Sequence, residues 1–339
     1  MEYRSIRDLN DRIVDWTFTL PRDIELVVGI PRSGMLAANL LALHRDLPVT
    51  DLPGLLEKRS IRTGQRYSGR DVAAILERPA RILVVDDSVY SGASLSEAEA
   101  QIKAGGQSHG FVYGAVFVTP EAVHDGRVAH FAEVVPGPRV FEWNIMHTPM
   151  MASFCVDIDG VLCADPEPQQ NDDAVHYRDF LRRAQPLVLP RYEIGWLVTS
   201  RLERYRAETE DWLARHGVRY RHLVMMDYPD QAARQKARAY DAFKAAAYVD
   251  SGAEMFIESA PHTAAGVARL ARRPVFCFAT REMIYPDAWP RQQHLPIHPP
   301  RALARAMRWG TQLPTRAARK SRRLYARWGW SSSSEEQSN

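Results

Sequence analysis

The chain alternates short apolar runs with segments that carry apolar residues at helical spacing, and the alternation restarts near its middle. Ile6, Leu9, Ile13 and Trp16 recur three and four positions apart and predict an N-terminal helix. ELVVGI (25–30) is a continuous apolar run, the pattern of a strand buried on both faces, and MLAANLLALHRDL (35–47) predicts the helix after it. RILVVDD (81–87), a helix over 94–104 and FVYGAVFV (111–118) repeat the theme. Between them, EKRSIRTGQRYSGR (57–70) has no apolar period and predicts a loop. In the second half the predicted strands are SFCVDIDG (153–160), IGWLVTS (194–200), HLVMM (222–226), EMFIES (254–259) and PVFCF (274–278). A helix over 202–216 ends at Gly217. Strands alternating with helices predict an α/β fold with two tandem parallel-sheet domains. The turn-rich run 136–150 places the boundary, giving domains over 1–148 and 149–290 and a tail over 291–339.

Composition sharpens this picture in one respect. The 339 residues carry 44 Lys and Arg against 41 Asp and Glu, a net charge of +3. Residues 301–330 hold nine of the basic residues and none of the acids, so the rest of the chain stands at −6. A hydrophobic content of 45% excludes wholesale disorder. The three cysteines, Cys155, Cys163 and Cys277, lack metal-site spacing and form no closed disulfide set, which predicts a reducing, cytoplasmic setting. The N-terminus is too charged for a signal peptide, and no apolar run is long enough to span a bilayer. The final SSSSEEQSN predicts a disordered end.

Two places carry candidate chemistry. In the first, a buried strand delivers Asp86 and Asp87, and the chain turns through Tyr90, Ser91, Gly92, Ala93 and Ser94 into a helix. Such a turn gathers backbone N–H groups and hydroxyls at a helix N-terminus, which suits a phosphate dianion. The two carboxylates suit sugar hydroxyls. A tight turn with a solvated acidic pair fits the same residues. The segment nevertheless resembles the phosphoribosyl pyrophosphate (PRPP) motif of type I phosphoribosyltransferases, and two further pieces match in order. Gly29-Ile30-Pro31-Arg32-Ser33-Gly34 is similar to that family's pyrophosphate loop, and 57–70 sits where the family has its catalytic loop. The resemblance implies that Asp86 and Asp87 hold the ribose hydroxyls and that Tyr90 to Ser94 hold the 5-phosphate. It also implies that Arg32, Ser33, Gly34, Lys58 and Arg59 face the pyrophosphate, with Mg²⁺ bridging the substrate. Tyr90 stands where the family usually has Thr.

In the second place, Phe154-Cys155-Val156-Asp157-Ile158-Asp159-Gly160-Val161 sets two acids at spacing i, i+2 where a strand ends. One carboxylate in such a pair can attack phosphorus while the other manages the leaving-group proton; a metal-binding or solvated turn shares the pattern. The sequence is similar to the first motif of the haloacid dehalogenase phosphatase superfamily. That resemblance implies Asp157 as nucleophile, Asp159 as acid and base, and Thr199 and Ser200 on the phosphoryl oxygens. It further implies a phosphate-binding lysine at Lys244, with Lys236 the rival, and an Mg²⁺ site of Asp157, Asp159 and Glu258. Glu258 departs from the usual Asp there, and Asp250 is an outside candidate.

Basic residues interleaved with Leu303, Met307, Trp309, Leu324, Tyr325, Trp328 and Trp330 predict contact with an anionic membrane surface, peripheral on its inner face. Docking to a partner and nucleic acid are the competitors, the latter the least favoured. Together the two resemblances imply an enzyme that transfers ribosyl 5-phosphate from PRPP to an acceptor and then removes the phosphate. The fusion resembles pairs that install ribofuranose in bacterial surface polysaccharides, which implies a glycan acceptor. The alternatives are a nucleobase transferase joined to a 5′-nucleotidase, and a PRPP-sensing regulator.

Overall fold

The computed structural model describes residues 1–59, 72–171 and 173–286. Most of the expected catalytic loop and the whole of the expected basic tail lie outside the described residues. Met1–Arg291 forms one compact unit. Among the described residues, no helix is long and apolar enough to cross a membrane.

In the first half the elements run β1 (Glu2–Arg4), α1 (Ile6–Thr17), β2 (Ile24–Gly29), α2 (Gly34–Arg45), β3 (Val49–Asp51) and α3 (Leu52–Leu56). They continue with α4 (Val72–Glu77), β4 (Arg81–Val89), α5 (Ala93–Ala104), β5 (Gly110–Val118), α6 (Pro120–His124), β6 (His130–Val134) and β7 (Arg139–Phe141). Helix α1 starts at a capping box: the Ser5 hydroxyl accepts from the Asp8 N–H, and the Asp8 carboxylate accepts from the Ser5 N–H. Its inward stripe, Leu9, Ile13 and Trp16, is buried against the sheet. Five strands form a parallel sheet in the order β3-β2-β4-β5-β6.

The second half runs β8 (Phe154–Val156), α7 (Val175–Arg183), β9 (Ile194–Leu202), α8 (Arg206–Arg215), β10 (Tyr220–Met226) and α9 (Gln231–Ala237). It ends with α10 (Tyr240–Asp250), β11 (Met255–Glu258), α11 (Pro261–Ala271), β12 (Val275–Cys277) and β13 (Glu282–Ile284). The sheet order is β10-β9-β8-β11-β12-β13, parallel except for β13. The expected strand over 153–160 is shorter than its apolar run. Its ladder ends one rung past Val156, where the Asp157 N–H donates to the Ile257 carbonyl, and Gly160 then turns the chain at φ +73°. The expected helix over 202–216 opens as a 3₁₀ turn at Glu203–Tyr205 before α8.

Both sheets change direction once. In the first, the chain steps outward from β2 to β3 and returns on the other side of β2 as β4. In the second, it steps from β8 to β9 and β10 and returns beside β8 as β11. In open parallel sheets such switch points leave a crevice outside the strand C-termini, the place where ligands bind.

The halves share packing. Strand β1 pairs in parallel with β7, while the Tyr3 ring lies 5.6 Å from that of Phe276 and its hydroxyl donates to the Arg281 carbonyl at 2.5 Å. Val140, Ile145, Met146 and Met151 sit in the same core as Phe154, Val156 and Ile257. Residues on both sides of the expected 148/149 boundary therefore belong to one apolar cluster.

Candidate functional site

The first crevice opens between β2 and β4. The β2–β4 ladder ends at the pair Gly29 and Val85, so Asp86 and Asp87 face the loop after β2 rather than another strand on that side. On the other side β4 runs on beside β5 as far as Val89. Asp86 and Asp87 are both buried. Asp87 Oδ1 accepts from the Ser33 hydroxyl at 2.7 Å, and Oδ2 accepts from the Trp143 indole N–H at 2.8 Å. Asp86 Oδ1 accepts from the Asp87 N–H at 2.9 Å. Burial, then the hydrogen bond and charge of Asp87, push the Asp86 carboxyl up to about 8, so near neutral pH it keeps a proton beside Asp87. Gly34 is required here: a Cβ on it would stand 2.9 Å from Asp86 Oδ1 and from the Val85 carbonyl.

Helix α5 begins beyond this pair at Gly92, whose φ of +79° a side chain would strain. The exposed Tyr90 and Ser91, with Ala93 and Ser94, form the turn into the helix. Two arginines absent from the sequence argument brace it. The Arg127 guanidinium donates to the Ser91 carbonyl at 2.5 Å, and the buried Arg139 donates to the Val89 carbonyl at 2.7 Å. Burial lowers Arg139 to about 10 although Asp87 opposes the shift. Arg32 is exposed in the loop after β2.

Lys58 and Arg59 are not brought to this crevice. Helix α3 runs back along the sheet, so that Leu56 lies 3.3 Å from the Cβ position of Gly105 at the far end of α5. The charge of Lys58 is felt by His109, which precedes β5 at the opposite sheet edge from Asp86. Arg59 turns back onto Asp51, donating at 2.7 Å, and pairs with Glu57.

The second crevice opens between β8 and β11, and ion pairs fill it. The Lys244 ammonium, from α10, donates to Asp157 Oδ2 and to Glu258 Oε2, each at 2.6 Å, and all three side chains are buried. Burial opposes the charge on Lys244, yet the two carboxylates prevail and hold its pKa above the ordinary lysine value. Lys236, the rival, is exposed on α9, and Asp250 is exposed at the end of α10. Thr199 is wholly buried, its hydroxyl accepting from the Arg201 N–H at 3.2 Å, and the Ser200 carbonyl accepts from Arg234 at 2.6 Å.

Asp159 takes a different direction from Asp157. Arg201, wholly buried, grips it through Nη2 at 2.6 Å and Nε at 3.0 Å. Arg201 Nη2 also lies 3.2 Å from Cys163 Sγ. Asp165 stands over the Gly160 turn, its Oδ2 3.0 Å from the glycine's Cβ position, and partial burial of its carboxyl followed by the charge of Asp159 raises it. Arg201 and Asp165 were outside the sequence reading; the basic residue two positions after Thr199 was the available signal.

Asp157, Asp159 and Glu258 are hard oxygen donors of the type Mg²⁺ takes. In this arrangement they do not converge on one centre. Lys244 stands between Asp157 and Glu258, Arg201 occupies Asp159, and the remaining Asp157 oxygen accepts from the Ile158 N–H at 2.8 Å. Among the described residues, no three Asp, Glu, His or Cys side chains are grouped to hold a metal.

No family model matches the chain, and no curated protein matches it. Solved structures do, over the N-terminal part. A Helicobacter pylori xanthine-guanine-hypoxanthine phosphoribosyltransferase is 20% identical, with 42% of this chain and 93% of that chain covered and a TM-score of 0.31. A purine phosphoribosyltransferase from Pyrococcus horikoshii Ot3 is 16% identical, with 42% and 92% covered and a TM-score of 0.29. A hypothetical protein from Neisseria gonorrhoeae with bound ppGpp is 12% identical, with 42% and 89% covered and a TM-score of 0.31. These are likenesses at low identity and low TM-score.

Proposed function

We propose that this is a bifunctional enzyme: the first crevice transfers ribosyl 5-phosphate from PRPP to an acceptor, and the second removes the 5-phosphate. The observation that carries the reading is that the chain's two acidic motifs, Asp86-Asp87 and Asp157 with Glu258, each fall at the one switch point of a parallel sheet. The arrangement of β8 between β9 and β11, with Thr199 after one neighbour and Glu258 ending the other, supports the phosphatase motifs read from the sequence.

In the transfer step an acceptor oxygen bonds to ribose C1 as the bond from C1 to pyrophosphate breaks, and the acceptor proton passes to the departing pyrophosphate. The Asp86–Asp87 pair, sharing one proton, offers both a donor and an acceptor to the ribose diol. The turn from Tyr90 to Ser94 receives the 5-phosphate at the N-terminus of α5. Mg²⁺ belongs to this proposal as an ion carried by PRPP. In the second crevice, Asp157 attacks phosphorus and the ester P–O bond breaks, the leaving oxygen taking a proton from Asp159. Water then attacks the aspartyl phosphate, returning its proton to Asp159. Lys244 balances charge on Asp157 throughout, and Arg201 aims Asp159.

A glycan is the acceptor we propose. With a nucleobase, removing the phosphate would convert a nucleotide into a nucleoside and undo the first step; on a sugar the removal completes a plain ribofuranose. Residues 301–330 are proposed to bring the enzyme to a membrane surface where lipid-linked acceptors reside. The test incubates the full chain with PRPP, Mg²⁺ and glycan acceptors. Asp157→Asn is expected to accumulate an acceptor heavier by ribose phosphate, and the unaltered chain one heavier by ribose. Nucleotides formed from added bases, with no glycan product, would reject the glycan acceptor. PRPP binding with no pyrophosphate released would indicate a regulator instead.

A further inference from the structure

Asp87 is the only member of the first acidic pair whose two carboxylate oxygens are both taken by side chains from elsewhere in the chain. Ser33, from the loop after β2, donates to Oδ1 at 2.7 Å; Trp143, just past β7, donates to Oδ2 at 2.8 Å. Trp143 is itself immobilised. Its ring stacks on Phe141 at 4.8 Å with a 20° tilt, and on Phe117 at 6.3 Å. The residue before it, Glu142, accepts from the Ile6 N–H at 2.8 Å and donates its own N–H to the Arg4 carbonyl at 3.0 Å. The indole N–H therefore reaches Asp87 from a wall fixed by stacking and by α1.

We infer that Trp143 is a positioning residue of the first site: its indole N–H, acting with the Ser33 hydroxyl, fixes the orientation of Asp87 and thereby the geometry offered to the ribose of PRPP. The inference rests on the PRPP reading of this crevice. An indole N–H has no other polar function, so its meeting a buried carboxylate is a directed contact. Hydrogen bonds to carboxylates are among the stronger ones in proteins, and their directionality fixes the orientation of the acceptor. The groups facing Asp87 are Ser33 from the loop after β2, Trp143 beyond β7, Asp86 from its own strand and the Arg139 guanidinium from β7. Trp143 and Ser33 thus hold the two oxygens of Asp87 from two separate elements. The segment after Trp143 enters the core around β8 within a few residues, so the contact also ties the first acidic pair to the chain that delivers Asp157.

The test is calorimetric PRPP binding to the full chain near neutral pH, comparing it with Trp143→Phe, which keeps the stacked ring and removes only the N–H. The expected result is PRPP binding weakened by roughly 10- to 100-fold, the range of one hydrogen bond to a charged group. Ser33→Ala should weaken binding in the same direction, and the double variant should lose less than the product of the two single losses, because both donors orient one carboxylate. Merely structural losses from two separate elements would multiply instead. Unchanged affinity in a Trp143→Phe protein of normal melting temperature, or strictly multiplicative losses in the double variant, would overturn the inference. If Trp143→Phe fails to fold, Ser33→Ala alone decides, and unchanged PRPP affinity there overturns it equally. An unaltered chain that binds no PRPP removes the site reading and the inference together. PRPP binding without pyrophosphate release removes only the transferase reading.

Discussion

Asp86 carries a stability cost that Asp86→Asn should release in a pH-dependent way. Its carboxyl moves from 3.8 in the open chain to about 8 in the fold, chiefly through burial and then through Asp87. Between those values the folded protein binds a proton that the unfolded chain has lost. Stability must therefore fall as pH rises from about 4 to about 8, and level off above. Each pH unit of that gap corresponds to about 1.4 kcal/mol, so the loss has an upper bound of about 6 kcal/mol. Asparagine copies the protonated acid: its oxygen can accept from the Asp87 N–H as Asp86 Oδ1 does, and its amide can donate toward the neighbouring carboxylate. Urea unfolding at pH 4.5, 6.5 and 8.5 is the assay. The variant and the unaltered chain should be nearly equal at pH 4.5, and the variant should gain several kcal/mol by pH 8.5, while PRPP turnover falls. A stability difference that stays constant across the three pH values would refute the claim that Asp86 holds its proton in the folded protein.

Four further outcomes follow from the second crevice. Lys244→Met leaves Asp157 and Glu258 buried without their shared cation and should cost about 3–5 kcal/mol, read by urea unfolding at pH 7. The stability Lys244 contributes should be fully present below about 10.5, its open-chain value, and lost as pH climbs through its raised folded value. Gly160→Ala places a Cβ 2.5 Å from that of Ser259 at a φ of +73°, and should lower stability by about 2 kcal/mol or more in the same assay. Asp157→Asn should abolish release of inorganic phosphate from ribose 5-phosphate; residual release above one hundredth of the normal rate would remove Asp157 as nucleophile.

The strands read most easily from sequence are those packed on both sides. The runs of β2, β4 and β5 are apolar because these are the middle strands of a covered sheet. Strand β6, HFAEV, lies at the sheet edge with every residue half-buried, and gives no comparable run. Strands β1 and β7 are three residues each and form only because they find one another across the chain. The sites divide in the same way. Asp86 with Asp87, and Asp157, are legible because a strand end and its loop are local. Lys244 was legible as a lysine on a helical pattern, but its bridging of Asp157 to Glu258 needs β8 and β11 side by side. The grip of Arg201 on Asp159 spans 42 positions and depends on the same sheet order. Lys58 shows the limit: loop position suggested the crevice, whereas the direction of α3 carries it to the other edge.

The pairing of β1 with β7, and of Tyr3 with Phe276 and Arg281, bears on how the chain is made. A ribosome adds about 5–20 residues per second. The 278 positions between Tyr3 and Arg281 therefore take roughly 15–55 s to translate. Until then the first sheet can form, yet Tyr3 has no ring to pack against and the apolar face of Val140, Ile145 and Met146 has no second core to enter. During synthesis the nascent first half thus presents a sticky surface that only its own later sequence can cover, a natural place for chaperone attention.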